Sequence, residues 1–146
     1  MNPTAIMFRS FIQLALQHPR GPEVARAFDR TFQFDLTDDA PFYLELKGGN
    51  LRVEEGDSGL DWKRKDWERV TCVHTSAETL REIVTGKTLI SETFFDRKLG
   101  FAPRRMADRH TDATATVSWL YTLVRLALEQ GQKAGHQRHL SDLGLG

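Results

Sequence analysis

Residues 31–54 read Thr31-Phe32-Gln33-Phe34-Asp35-Leu36-Thr37, then Asp38-Asp39-Ala40-Pro41, Phe42-Tyr43-Leu44-Glu45-Leu46-Lys47, Gly48-Gly49-Asn50 and Leu51-Arg52-Val53-Glu54. Successive side chains of a strand point to opposite faces, so apolar and polar residues that alternate mark a half-buried strand. Phe32, Phe34 and Leu36 alternate with Thr31, Gln33, Asp35 and Thr37. Phe42, Leu44 and Leu46 do so with Tyr43, Glu45 and Lys47, and Leu51 and Val53 with Arg52 and Glu54. The Asp-Asp-Ala-Pro cluster and the Gly-Gly-Asn triplet between the runs supply turn chemistry, the second of them for a tight hairpin. Three such strands predict an antiparallel sheet, wet on one face and packed on the other.

Helical periodicity flanks this block. Before it, Met7, Phe11 and Leu14 share one face with Phe8, Ile12 and Ala15 beside them, which predicts a helix over residues 3–17 ended by Pro19 and Gly21. Pro22 suits the first turn of a second helix, whose buried face is read as Val24, Ala27 and Phe28. After it, residues 56–69 are polar and predict a surface loop or short helix, and residues 70–75 a fourth strand. Thr75 and Glu78 have the spacing of a capping box, followed by a helix burying Leu80, Ile83 and Val84 and stopped by Gly86. Leu89, Ile90, Phe94 and Phe95 suggest another short helix, and residues 99–102 a fifth strand ended by Pro103. Residues 104–114 are polar and read as loop.

The last helix is predicted over 114–130 with two apolar stripes: Val117, Leu120, Tyr121, Val124 and Leu128, then Trp119, Leu123 and Leu126. A belt that wide calls for more than one partner surface. The expected organisation is a single domain over residues 1–130, with helices over 3–30 and the sheet with its helices over 31–130, and a flexible tail over 131–146.

The chain has 146 residues, 40% hydrophobic and 27% charged, with 20 basic against 20 acidic side chains. A balanced charge supplies no whole-molecule field toward nucleic acid or an anionic membrane. The single cysteine gives no disulfide framework and no metal cluster, so no metal ligand is assigned, and it suits a reducing, cytoplasmic compartment. Arg9 interrupts the apolar N-terminal run, which is not that of a signal peptide, and no run reaches the roughly 18–20 residues of a membrane span.

The stretches Thr31 to Asp38 and Phe42 to Gly49 resemble the opening hairpin of the sterol carrier protein 2 family. Ser76 to Lys87, ending Ile83-Val84-Thr85-Gly86-Lys87, is similar to its first sheet-capping helix, and Phe94 with Lys98-Leu99-Gly100-Phe101 to its next helix and edge strand. Arg97 stands where the family usually has Gly, and residues 103–112 are more polar than the family's passage into its last helix. The resemblance implies an α+β fold, a five-stranded, mainly antiparallel sheet with helices packed on one face. It also implies a tunnel between them for fatty acids, acyl chains, sterols or other lipids.

Leu80, Ile83, Phe94, Leu99, Phe101, Trp119 and Leu123 are the pocket-lining candidates, and each also reads as solid core. Arg97, Arg104 and Arg105 fall beside the implied tunnel mouth, where they could meet a lipid carboxylate or phosphate, or anionic headgroups. Non-enzymatic binding or transfer of a lipid-like ligand is therefore the leading reading, without a cofactor. A second is an interaction module in which the Trp119 and Leu123 stripe forms a homodimer seam or docks on a lipid-handling enzyme. A third is a small acyl-processing enzyme using the polar 103–112 segment.

Other constellations fall away. Gly86-Lys87-Thr88 resembles the end of a phosphate loop, but Arg81 occupies the position of the required first Gly, and a helix precedes it. His110, Asp112, Ser91 and Ser118 offer no nucleophile elbow, so no catalytic residue is assigned. His136 and His139 have only Asp142 near them, short of the three or four ligands of a metal site, and Cys72 reads as a small buried apolar side chain. Lys63, Arg64, Lys65 and Arg69, with Trp62 and Trp67 among them, are diluted by Asp61, Asp66 and Glu68 and read as a solvated surface rather than a nucleic-acid site.

Overall fold

The structure, a computed structural model, describes residues 2–27, 30–48, 50–61, 63–66, 69–102 and 109–142, with side chains of the last stretch described over 116–133. The elements are α1 (Pro3–Gln17), α2 (Gly21–Arg26), β1 (Thr31–Leu36), β2 (Phe42–Lys47), β3 (Asn50–Glu55), β4 (Val70–Thr75), α3 (Ala77–Val84), α4 (Ile90–Phe95), β5 (Gly100–Ala102) and α5 (Arg109–Asp142). The strands form one sheet in the order β3-β2-β1-β4-β5. β1 pairs antiparallel with β2, β2 with β3 and β4 with β5, while β1 and β4 run parallel, with Thr31 opposite Val70 and Leu36 opposite Thr75. The fold is α+β, as the sequence predicts.

The inward row of each strand meets the helices. Phe8 of α1 lies 4.6 Å from Phe34 and 5.6 Å from Phe42, and the last two rings stack at 4.6 Å. Trp119 of α5 stacks on Phe32 at 4.9 Å and donates its indole N–H to the carbonyl of Val24 at 2.8 Å. The apolar payload of these rings and their edge or offset contacts drive the packing of α1 and α5 on one sheet face. In α1 the row of Ala5, Phe8, Ile12 and Ala15 is deepest, and Met7 and Leu14 are only half-buried. Asn2 caps this helix by accepting from the Ala5 N–H at 2.8 Å. In α2 it is Ala25 that is buried, not Ala27, and Phe28 lies outside the described residues.

The opposite face is wet along β2 and β3 and at His74 near the end of β4. Under β1 and β4, Thr31, Gln33, Val70 and Cys72 are buried, because the segment after β3 folds back across them. Gln33 fastens that segment: its side-chain N–H groups donate to the carbonyls of Phe42 and Gly56, and its Oε1 accepts from the Ser58 N–H at 2.7 Å. A buried amide leaves no donor or acceptor idle without cost, so this outward polar residue organises a cover. Farther along, the buried Asp66 carboxylate accepts from the Asp61 N–H at 2.8 Å and pairs with Arg69 at 3.3 Å. Lys63, Arg64 and Lys65 are exposed, and Trp62 and Trp67 lie outside the described residues.

Two element ends differ from expectation. The cap of α3 is Ser76, whose Oγ accepts from the Thr79 N–H at 2.9 Å. Thr75 is the last residue of β4, and its hydroxyl donates instead to the Lys98 carbonyl at 2.9 Å. The last helix starts at Arg109, inside the predicted loop, and continues through Gly131 to Asp142.

Candidate ligand-binding site

α3 ends in a Schellman motif. The Lys87 N–H donates to the Glu82 carbonyl and the Gly86 N–H to that of Ile83, with Gly86 at φ 76°. A Cβ at Gly86 would come within 2.8 Å of Leu128 Cδ1, so the turn between α3 and α4 presses directly on α5. Beside this contact a groove of about 180 Å³ opens between the α3–α4 turn and α5. Leu89, Tyr121 and Leu128 are its exposed apolar residues, at 51%, 42% and 37% exposure. Its floor is Ile83, Ile90 and Val124.

The same three residues line a second space on the sheet side, a void of only about 10 Å³ enclosed with Phe8, Phe34, Leu80 and Leu99 among its walls. That is room for about one water, and an apolar lining keeps such a space dry. Ile83, Ile90 and Val124 are therefore a one-residue partition between a surface groove and the centre of the core.

The seven predicted lining residues divide. Leu80, Ile83 and Leu99 line the inner void, and Ile83 also reaches the groove. Phe101, Trp119 and Leu123 are core residues lining neither space, and Phe94 packs half-buried with its ring 5.8 Å from Phe101. The stripe read as a dimer seam is already packed inside the chain, with Trp119, Leu123 and Leu126 all buried. It is the first stripe, through Tyr121, Val124 and Leu128, that borders open space. Leu89 and Ile90 carried no functional signal in the sequence beyond their apolar character.

Among the basic candidates, Arg97 is exposed at the C-terminal end of α4, while Arg104 and Arg105 lie outside the described residues. The charge at the groove is Arg125, missed in the sequence. Its guanidinium sits 6.0 Å from the Tyr121 ring centre and 3.8 Å from Glu129. The side chains of His110, Asp112, His136 and His139 are outside the described set. Cys72 is buried, as predicted, yet it is not simply apolar: its thiol donates to Asp35 Oδ2 at 3.3 Å, and burial together with that carboxylate pushes the thiol far up from its ordinary value.

The profile of the SCP-2 sterol transfer family matches residues 11–102, from the middle of α1 to the end of β5. The chain belongs to the SCP-2 sterol transfer family. Its membership brings lipid binding or transfer as the functional class. Solved structures of similar fold include a sterol carrier protein 2, at 14% identity and TM-score 0.55 over 87% of this chain and 95% of that one. A UbiJ-SCP2 ubiquinone synthesis protein gives 12% and 0.57 over 87% and 94%. A sterol carrier protein 2 of Yarrowia lipolytica in its apo form gives 16% and 0.52 over 84% and 89%. At such identities the likeness is one of fold. No curated protein matches the chain. Among the described residues, no helix is long and apolar enough to cross a membrane.

Proposed function

We propose that this SCP-2 family chain is a non-enzymatic carrier of a lipid-like molecule, which enters between the α3–α4 turn and α5. The observation that carries the reading is the shared partition: Ile83, Ile90 and Val124 separate the groove from the inner void. Ligand pockets usually hold about 300–1,000 Å³, and the groove holds about 180 Å³. A whole lipid therefore needs those three side chains to move and the apolar walls at Leu80 and Leu99 to join the site. Each Å² of apolar surface withdrawn from water contributes about 25 cal/mol, which suits an acyl, sterol or prenyl body with little hydrogen-bonding capacity. Arg125 at the rim suits a polar or anionic end.

Displacement of a fluorescent fatty acid tests the entrance. Leu89 is the N-cap of α4 with no side-chain cap bond, so Leu89→Asp supplies a favoured cap while placing a charge in the groove. Leu89→Asp and Tyr121→Glu are expected to keep the fold and weaken probe binding about tenfold or more. Phe95→Ser, at a residue 80% exposed and outside the groove lining, is expected to leave binding unchanged. Full binding in both groove variants would place the site elsewhere.

A further inference from the structure

The sheet face away from the helices carries a second chemistry. In the parallel β1–β4 pair, Asp35 lies opposite His74, and Cys72 lies opposite Gln33, two residues back along β1. Alternation puts Gln33, Asp35, Cys72 and His74 on that one face. A ligand atom from each of Asp35, Cys72 and His74 lies within 4.8 Å of the other two. The Cys72 Sγ to Asp35 Oδ2 distance is 3.3 Å. With Zn–S near 2.3 Å and Zn–N or Zn–O near 2.0–2.2 Å, a tetrahedral zinc ion holds such atoms roughly 3.3–3.8 Å apart. The sulfur–oxygen edge is thus already close to that geometry, and the imidazole needs only a side-chain adjustment of about 1 Å.

We propose that Asp35, Cys72 and His74 form a site for a divalent transition metal ion of the zinc class. The donor set supports a borderline-soft cation: thiolate and imidazole favour zinc over magnesium or calcium, which prefer all-oxygen shells. Among the described residues, β5 adds little bulk beside the site. β5 places Gly100 opposite His74 and Ala102 opposite Cys72, and a Cβ built on Gly100 would meet only the His74 Cβ, at 4.0 Å, among the described residues. Glycine and alanine are the smallest residues β5 could offer there, and a fourth ligand position would be taken by a water. Depth is graded from the buried Cys72 through the half-buried Asp35 to the exposed His74, so the ion is reached from solvent on the histidine side. As the sulfur–metal bond forms, the thiol proton leaves to solvent, because a coordinating thiol is deprotonated outright. The three ligands would clamp β1 to β4, the only parallel pairing described in the sheet.

Titration of chelator-stripped full-length protein with Zn²⁺, and separately with Co²⁺ read by absorption, decides the matter. One ion per chain is expected, with a thiolate-to-cobalt charge-transfer band in the near ultraviolet. Cys72→Ser should remove the band, and His74→Ala and Asp35→Asn should each weaken Zn²⁺ binding by roughly tenfold or more, at least the loss seen when a ligand's outer partner is removed. The paired substitution His136→Ala and His139→Ala should change neither. Should Cys72→Ser fail to fold by circular dichroism, the band in the unaltered protein and the effect at the exposed His74 still decide. No bound metal, binding without a thiolate band, or binding lost only with the two tail histidines would overturn the proposal.

Discussion

At Arg97 the backbone takes φ 61°, the only positive value at a non-glycine among the described residues. The position is the left-handed end of α4: the Arg97 N–H donates to the Phe94 carbonyl at 3.1 Å and the Lys98 N–H to the Thr93 carbonyl at 3.0 Å. Glycine is the usual occupant of this place, since a Cβ there costs about 1–2 kcal/mol. Arg97→Gly should therefore stabilise the protein by about 1 kcal/mol, raising the thermal midpoint by roughly 2–5 °C; a lowered midpoint would show the arginine side chain making a stabilising contact. Another residue with local consequences is Thr4, whose hydroxyl donates to Asp39 Oδ2 at 2.6 Å, tying α1 to the β1–β2 turn. That bond, with the Ala40 N–H, holds the Asp39 carboxyl below the ordinary carboxylate range. A lowered folded value means that this contribution is fully present above the ordinary range and is lost as the pH falls through the lowered value. In an NMR titration, Thr4→Val should move the Asp39 midpoint up; an unmoved midpoint would assign the shift to the backbone contact alone.

At the scale of elements, helix ends and glycines separate what the sequence discloses from what it conceals. Gly86 reads as a helix stop, and Gly131 as the first residue of the tail beyond the last helix. Gly86 is such a stop, with φ 76° and Leu128 Cδ1 in the place a Cβ would need. Gly131 instead lies within α5, where a Cβ would meet Leu14 Cδ2 at 3.4 Å, an ordinary contact. Helix propensity then predicts that Gly131→Ala adds up to about 1 kcal/mol, whereas Gly86→Ala loses about 1 kcal/mol or more through its positive φ and its clash. Urea midpoints shifted in opposite directions would bear this out, and two shifts of the same sign would contradict it. β2 was legible because period two is a strong signal, and 42–47 matches it residue for residue; 70–75 also matches β4, although its burial does not alternate because both of its faces are covered over most of its length. The cap of α3 was displaced to Thr75 because a Thr and a Ser stand side by side, and only the sheet register shows which hydroxyl is already engaged. Periodicity also cannot say which of two apolar stripes on α5 faces the core. The deeply packed one supplies the candidates Trp119 and Leu123, and the one bordering the groove, with Tyr121 and Leu128, carries no functional assignment in the sequence.

Across the whole molecule, one sheet separates two environments. On the helix side, Phe8, Phe34, Leu80 and Leu99 enclose a closed apolar centre, with a partition one side chain thick toward the groove. On the other side, the cover pinned by Gln33 leaves Asp35, Cys72 and His74 gathered at its margin. The sequence displayed the surplus of apolar helix surface and the family pattern, but not the groove, which depends on how closely the α3–α4 turn approaches α5. A carrier built this way should hold its ligand through purification, because apolar burial rather than a few polar contacts retains it. The most direct measurement is native mass spectrometry of gently purified protein, repeated after addition of a fatty acid, a sterol and a polyprenyl quinone. The account predicts a one-to-one adduct with a co-purified or added lipid, diminished in Leu89→Asp. Bare protein under all four conditions would contradict it.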